Sequence, residues 1–183
     1  MACDLAAGRA FPCKDAIGGI KDVCFIEYSD SAFAAASAGA VADTTAVMDG
    51  WRYELLKNTG SFVQTISDTM ATGGLFYTQV LTIQFPKLTA ATNDELQNLL
   101  QSRVIVIVRD SNDNTHLMGI SDGAEVTAGS LNSGAGKGDV QGYELTFTAE
   151  EALPAPFFID MTNSTARSGL SFAITVAPEY PGA

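Results

Sequence analysis

Regular alternation of apolar and polar residues predicts that most of this chain forms β-strands. In residues 143–148 every second side chain is large and apolar, and the side chains between them are polar. A period of two buries one face of a strand and leaves the other face in water. Apolar, β-branched runs predict further strands at residues 23–28, 104–108, 116–120 and 170–176. We therefore expect a mainly β (α+β) fold, with two packed antiparallel sheets forming a β-sandwich or barrel.

A long hairpin is predicted in the first half of the chain, because the β-like runs 51–67 and 75–85 flank a polar segment with two glycines. The second run carries apolar residues on both faces, a pattern that suits a strand in contact with protein on each side. Its more apolar face holds Gln79 together with Tyr77, Leu81, Ile83 and Phe85. The polar connection, residues 68–74, predicts a hairpin tip that projects from the body of the protein.

One α-helix is predicted after the hairpin. Thr92 and Glu95 have the spacing of a capping box, in which Thr92 is the N-cap. An apolar stripe at helical spacing follows and is formed by Leu96, Leu99 and Leu100. We expect this helix to end near Arg103, because the buried strand at residues 104–108 begins directly afterwards.

A glycine-rich segment, residues 129–138, is predicted to be a loop that bends or lies against another surface. Its Gly136-Lys137 pair superficially suggests a phosphate-binding loop. That motif requires glycine five positions before the pair and serine or threonine after it, where this chain has Leu131 and Gly138. A mobile loop or a subunit contact is therefore the preferred interpretation.

The length of the chain predicts one domain, residues 1–183, with three less regular segments. These are an N-terminal arm, an alanine-rich insertion loop and a C-terminal tail, at residues 1–20, 31–49 and 177–183. No secretory leader is recognisable, and the alanine-rich tract is too short and too weakly apolar to cross a bilayer. We expect no membrane insertion.

The charge balance is strongly acidic, because 21 Asp and Glu residues face 10 Lys and Arg residues, a formal net charge of −11. So few cations cannot neutralise a phosphate backbone, which argues against nucleic-acid binding by that route. An acidic wall would instead let DNA slide past without adhering. Charged residues make up only 17% of the chain and hydrophobic residues 46%, so we expect a folded core.

No combination of residues points to catalysis, and we expect no enzyme, cofactor or metal site. His116 is the only histidine and has no orienting acid or nucleophile nominated by the sequence, so a surface or packed histidine is expected. Glu150 and Glu151 are adjacent at a strand end and should point apart as solvated acids, unlike a paired acid and base. Trp51 is expected to anchor the core.

The cysteines lie at positions 3, 13 and 24, and free buried thiols are the preferred interpretation. A bridge between Cys3 and Cys13 stays open as an alternative. A zinc site is not expected, because His116 is the only other strong soft ligand and lies far from the cysteines in sequence.

The order of strand, long hairpin, capped helix, hairpin and strand resembles the tail-tube protein family of long-tailed bacteriophages. The resemblance rests on residues 62–85 as the long hairpin, 92–103 as the flanking helix and 104–150 as the remaining strands. The segments GAEVTAG, GKGDVQGYELTFTAEE and PAPF are also similar to small phage structural proteins. The alanine-rich insertion and the cysteine-containing N-terminal arm depart from the family pattern.

This resemblance implies a structural virion protein whose copies form hexameric rings, with neighbouring sheets joined into one barrel and the rings stacked into a tail tube. Its partners would be further copies of itself and other tail proteins, and DNA would pass through without specific binding. The protein would be assembled in the host bacterial cytoplasm and reside in the virion tail. Asp68, Asp139 and Glu144 are the candidate residues for the lumen or the interface.

Two alternatives remain at this point. A capsid-decorating or head–tail connector protein would form trimers or rings without polymerising. A carbohydrate- or ligand-binding β-sandwich module would use a platform of aromatic side chains, for which Trp51, Tyr53 and Tyr77 are the candidates.

Overall fold

The computed structural model describes residues 16–29, 33, 39–41, 48–69, 74–87, 90–139, 141–158 and 170–173. Within these residues the chain is mainly β, as predicted, and it contains one helix, α1 (Ala90–Gln101). The strands, in chain order, are β1 (Ile20–Glu27), β2 (Ala40–Val41), β3 (Met48–Glu54), β4 (Gly60–Thr69), β5 (Gly74–Pro86), β6 (Val104–Asp110), β7 (Thr115–Met118), β8 (Glu125–Asn132), β9 (Gly142–Glu151), β10 (Phe157–Phe158) and β11 (Leu170–Ala173).

The strands form two sheets that pack against each other. One has seven strands in the order β11-β3-β1-β6-β7-β10-β2, and the other has four in the order β4-β5-β9-β8. The four-stranded sheet is antiparallel throughout. The expectation of two purely antiparallel sheets is wrong for the larger one, because β11 pairs parallel with β3 and β10 pairs parallel with β2.

The main core lies between the two sheets. The alternating strand predicted at residues 143–148 is confirmed, because Leu145 and Phe147 of β9 are buried while Thr146 and Thr148 are only half-buried. Phe147 packs against Phe25 of the seven-stranded sheet, with ring centroids 5.0 Å apart. The alternating pattern therefore identifies which face of β9 is covered by the second sheet.

A second apolar cluster covers the opposite face of the seven-stranded sheet. Its central strands β1 and β6 alternate between the two clusters, so that Val106 belongs to the main core and Ile105 and Ile107 belong to the second cluster. Phe33 and Phe158 meet edge to face in this second cluster, with centroids 5.7 Å apart. Burial on both faces explains why the run at residues 104–108 is apolar without alternation.

Cys24 also lies in the second cluster and is a free, buried thiol, as expected. Burial raises the pKa of its thiol to about 12, with a smaller contribution from the carboxylate of Asp22. The other two cysteines, positions 3 and 13, lie outside the described residues. The same is true of most of the segments 1–20 and 31–49, and of all of 177–183.

The predicted long hairpin is confirmed as β4 and β5, which pair from Gly60 opposite Ile83 to Thr69 opposite Gly74. The prediction of one continuous run at residues 51–67 is wrong, because β3 ends at Glu54 and belongs to the other sheet. The chain turns between the two sheets, with Asn58 in the left-handed region at φ 64°.

The chain is closely packed at Gly60, where β4 begins. A Cβ added to Gly60 would lie 2.8 Å from Leu55 Cδ1 and 3.3 Å from Ile20 Cβ, so a larger residue would require the Leu55 side chain to move. The sequence Asn58-Thr59-Gly60 is a turn signal inside an otherwise β-like run.

The helix begins two residues before the predicted N-cap. Since α1 starts at Ala90, Thr92 lies inside the helix, and the capping-box prediction is wrong. Two alanines, the residues of highest helix propensity, extend the helix backwards at its start. The helix ends at Gln101 rather than Arg103, and the Ser102 hydroxyl donates a hydrogen bond to the Asn98 carbonyl, 2.7 Å away. Leu96 is buried in the main core, whereas Leu100 is largely exposed.

The predicted glycine-rich loop is shorter than expected at its N-terminal end. Residues 129–132 are part of β8, which pairs with β9 after a bulge between Val126 and Ala128. A Cβ on Gly129 would lie 3.1 Å from Leu145 Cδ2, so the strand uses glycine where it lies close to its neighbour. The loop that follows is described over residues 133–139 and is named the Lys137 loop below.

Candidate assembly surface

The face of the four-stranded sheet directed away from the core, called the outer face here, is rich in hydroxyl and amide side chains. Residues directly opposite each other on an antiparallel ladder share a face. Because Leu81 and Phe147 point into the core, their neighbours Thr82 and Thr146 point outward. Side chains on this face are bonded across the strands: Gln84 Nε2 donates to Glu144 Oε2 at 3.2 Å, and the hydroxyls of Thr127 and Thr148 are 2.8 Å apart.

The outer face is acidic, and the four strands that form it contribute no cation. Strands β4, β5, β8 and β9 contain no lysine or arginine. Three carboxylates belong to the outer face by register: Glu125, Glu144 and Glu150. No lysine or arginine within the four strands offsets these charges, so the strands give this face negative charge.

Two strands, β4 and β8, form the edges of this sheet and, within the described part of the chain, pair on one side only. Neither carries the lysine or proline that often protects an edge strand, and the bulge in β8 leaves Ala128 to Asn132 regular. Exposed and unprotected edges offer a row of backbone donors and acceptors to another chain.

The direction of the free groups on β4 follows from one hydrogen bond. Gln84 N donates to Thr59 O at 2.8 Å, so the hydrogen-bonded pairs between β4 and β5 fall at the odd-numbered residues of β4. The N–H and C=O groups of Phe62, Gln64 and Ile66 therefore point toward the open edge. Ile66 is 64% exposed, which makes this part of the edge accessible.

The three predicted site residues do not come together. Glu144 lies on the outer face of β9, opposite Gln84 and Ser130. Asp68 is exposed near the end of β4 and shares the inner face of the hairpin with Ile66, on the side opposite to Glu144. The hairpin tip beyond Thr69 lies outside the described residues. Since Ile66 and Leu75 are 64% and 53% exposed, this end of the hairpin extends past the core.

Asp139 has a local role in the Lys137 loop. Its carboxylate accepts hydrogen bonds from the backbone N–H groups of Ala135 and Gly136, at 2.9 and 2.7 Å. These bonds lower the pKa of Asp139, because they stabilise the charged form. The loop thus forms a turn closed by Asp139, with Lys137 exposed between two glycines.

Sequence reasoning missed the role of Glu151, and its prediction as a solvated acid is wrong. Glu151 is 5% exposed and accepts hydrogen bonds from the backbone N–H groups of Ser121 and Asp122, at 2.9 and 3.3 Å. Gln79 lies beside it on the core face and accepts a bond from Gly119 N at 3.3 Å. Both side chains hold the turn at residues 119–123, a structural role.

The proposed aromatic platform is not assembled in the structure. Trp51 is 41% exposed, so its predicted role as a core anchor is wrong. Tyr53 packs between Phe25 and Phe85, with centroids 5.4 and 5.3 Å away. Tyr77 lies eight residues from Phe85 along β5, about 26 Å at the usual rise of a strand, and cannot join the other two.

His116 is a packed histidine. It lies between Phe62 and Phe157, at centroid distances of 5.9 and 4.6 Å. Burial lowers its pKa, and the nearby carboxylate of Asp110 partly opposes that shift. Among the described residues, neither a nucleophile nor an orienting acid is seen in contact with the imidazole.

A buried ionic cluster on the seven-stranded sheet was also missed. Asp22 is 2% exposed, and its Oδ2 accepts hydrogen bonds from Arg52 Nη2 at 2.7 Å and from Arg109 Nη2. These residues lie on three adjacent strands, so the cluster connects β3, β1 and β6. Arg52 also lies 3.5 Å from Glu54 Oε1, and Arg109 lies 4.0 Å from Asp113 Oδ1, whereas the buried Nε atoms of both arginines have no hydrogen-bond partner among the described residues. We assign this cluster to stability rather than to binding.

Within the described segments, no group of three or more His, Cys, Asp or Glu side chains could hold a metal ion. Across the same segments, no helix is both long enough and apolar enough to cross a membrane. Comparison of the chain with protein-family models, with curated proteins and with solved structures found no match.

Proposed function

We propose that this protein is a structural subunit that assembles through the edges of its four-stranded sheet into closed rings, which stack into the tail tube of a bacteriophage virion. The observation that supports this proposal best is the sheet itself: two unprotected edges flank an acidic outer face whose four strands contribute no cation. The resemblance of the element order to tail-tube proteins leads to the same proposal.

The two edges are compatible with each other. Strand direction alternates through β4, β5, β9 and β8, so β4 of one copy would continue the antiparallel order beside β8 of the next. A contact between two different edges is heterologous, and such contacts close into rings when the rotation between copies is suitable. The sandwich of each subunit would then contribute one sector of a continuous barrel, which leaves no free edge.

Such a barrel would be wide enough to serve as a conduit for DNA. Six copies, the number implied by the resemblance, would supply 24 strands, and at about 4.8 Å per strand they enclose a barrel about 37 Å across between backbones. Strand tilt would widen it further. The space left inside the side chains admits a DNA duplex.

The outer face would form the lumen in this arrangement. Its hydroxyl and amide side chains are wettable, and Glu144 and Glu150 give it negative charge with no neutralising cation in the four strands. DNA would then pass without adhering, because no phosphate finds a positively charged partner. The projecting end of the hairpin, with Asp68 and the exposed Ile66 and Leu75, would contact the next ring.

A substitution at the free edge tests this proposal. Ile66→Pro removes an N–H that points to the open edge and that the isolated subunit does not use, so the monomer should fold normally. Ile66→Thr is the matched control, since it shortens the same side chain and keeps the N–H. Negative-stain microscopy should show rings or tubes of uniform bore for the wild type and for Ile66→Thr, and neither for Ile66→Pro.

The outcomes separate the alternatives. Rings of normal size from Ile66→Pro would contradict pairing through this edge. Rings that never stack would favour a head–tail connector or capsid-decorating protein. A wild-type monomer that binds a glycan saturably would contradict assembly and favour the carbohydrate-binding module.

A further inference from the structure

A groove on the side of the core has no role in the fold or in the edge pairing described above. It lies between helix α1 and strands β1 and β3 and has a volume of about 340 Å³. The residues that decide its chemistry are Phe25, Glu27, Trp51, Tyr53, Glu95 and Asn98. We name it the Trp51 groove.

The Trp51 groove combines aromatic surface with negative charge. Phe25 is buried at its floor, whereas Trp51 is 41% exposed at its rim. Glu27 and Glu95 supply two exposed carboxylates, and none of the described residues that line the groove is a lysine or an arginine. An aromatic face beside carboxylates favours an ammonium or guanidinium group, which is attracted by the ring and by the charges.

The nearest basic side chain in sequence does not occupy the groove. Arg103 follows the lining residue Ser102, but its guanidinium lies over the ring of Tyr28, 4.3 Å from the centroid. A Cβ on Gly123 would lie 2.6 Å from Arg103 Cγ, so the stem of this arginine is held in place. Arg103 is therefore not the cation that the groove would attract.

Among the described residues, Lys137 is the best candidate. Its loop, residues 133–139, is exposed throughout, and within the described residues Lys137 forms no ion pair. Glycines precede and follow it, so the tip of the loop is slim enough to enter a groove. The bonds from Ala135 and Gly136 to Asp139 keep the loop turned, with Lys137 at its tip.

The Lys137 loop and the Trp51 groove lie at the same end of the four-stranded sheet. Tyr53 of the groove packs against Phe85, Phe85 pairs with Tyr143, and the loop lies shortly before Gly142 in the chain. Lys137 is five residues from Asn132, so a fully extended chain would reach at most about 16 Å beyond the end of β8, and the turn closed by Asp139 makes the actual reach shorter. Pairing β8 of one copy with β4 of the next would therefore bring this loop toward the neighbour's groove.

We propose that the Lys137 loop of one copy docks into the Trp51 groove of a neighbouring copy, with the lysine ammonium against the indole and between the two carboxylates. This proposal rests on the proposed assembly and adds a second contact between subunits. It assigns a function to three features that the fold alone does not require: an exposed tryptophan, an acidic groove and a glycine-flanked lysine.

The docking can be measured through the fluorescence of Trp51, because Trp51 is the only tryptophan in the chain. Its fluorescence should be quenched by caesium ions in dissociated protein, where the acidic groove is open and attracts a cation. In assembled particles, separated by size-exclusion chromatography, most of that quenching should be lost. Assembled Lys137→Glu should regain the quenching of the dissociated protein.

Three further variants give the experiment its controls. Lys137→Arg keeps the cation and should behave as the wild type. Lys57→Glu makes the same charge change at another exposed lysine and should leave Trp51 protected. Lys137→Glu should weaken assembly about tenfold in dissociation constant, the size of one partly desolvated cation–aromatic contact. Glu95→Lys added to Lys137→Glu should recover part of that loss.

The possible failures can be told apart. Particles that form while Trp51 stays as quenchable as in the monomer overturn the docking and leave the proposed function intact. Protection of Trp51 that survives Lys137→Glu, or that Lys57→Glu abolishes equally, also overturns the assignment to Lys137. A wild type that never assembles overturns both proposals.

Discussion

Replacing Asp22 by asparagine should cost far more stability than the same replacement at Asp113, although both carboxylates pair with basic side chains. Asp22 is 2% exposed, and one of its oxygens accepts hydrogen bonds from both Arg52 and Arg109. Asp113 is exposed and bonds to Lys21 at 2.7 Å. The two substitutions thus remove the same charge from a buried network and from the surface.

The expected magnitudes follow from burial. Removing one member of a buried ion pair costs about 3–5 kcal/mol, because the remaining charges stay in a poorly solvated place. The side chains of Arg52 and Arg109 are 28% and 26% exposed, so water partly compensates them. We therefore expect about 3 kcal/mol for Asp22→Asn. For Asp113→Asn we expect little change in stability, as for other exposed pairs.

Urea unfolding followed by circular dichroism measures both losses. The transition of Asp22→Asn should move to a lower urea concentration with an unchanged slope, while that of Asp113→Asn should stay close to the wild type. Similar losses for the two variants would refute the reasoning, because they would show that the Asp22 cluster stabilises the protein no more than a surface pair does.

Two other predictions concern the core and its pH dependence. Gly142→Ala should prevent stable folding, because the added Cβ would overlap the carbonyl oxygen of Phe85, whereas Gly138→Ala meets open space and should melt like the wild type. Burial lowers the pKa of His116 in the folded protein below its ordinary value of 6.5. The contribution of neutral His116 to stability is therefore fully present above pH 6.5. It is lost as the pH falls toward the pKa of the folded state, because the unfolded chain binds the proton first. His116→Phe should remove this loss, and an unchanged pH profile of stability would contradict it.

Strands with a regular pattern could be predicted from the sequence, and their faces with them. The alternation at residues 143–148 identified the buried face of β9, and the apolar run at residues 104–108 identified a strand buried on both sides. Each pattern reports burial directly. By contrast, β8 has a glycine- and serine-containing, mostly exposed sequence, and its pairing with β9 is what makes it a strand.

The remaining errors have tertiary causes. The break between β3 and β4 depends on which sheet each strand joins, and the local turn at Asn58 carries little weight beside a long β-like run. Glu151 is buried because a distant turn supplies the N–H donors of Ser121 and Asp122. Trp51 is exposed because its strand lies beside the groove at helix α1.

The candidate site could be predicted only in part. The alternation at residues 143–148 predicts that Glu144 lies on the polar face of its strand, and the register places it on the outer face. Register places Asp68 on the opposite face, and hydrogen bonds give Asp139 a local role, neither of which the sequence indicates. The free edges of β4 and β8 follow from the order of the strands in the sheet. The sequence indicates where strands form but not which strands pair, so it does not predict which of them lie at the edges.

Amide hydrogen exchange along β4 tests the central claim most directly. In the dissociated protein, the N–H groups of Phe62, Gln64 and Ile66 point to the open edge and should exchange rapidly. In assembled particles the same three amides should become strongly protected, since they would bond to β8 of the next copy. Unchanged exchange at these amides in assembled particles would contradict edge-to-edge pairing.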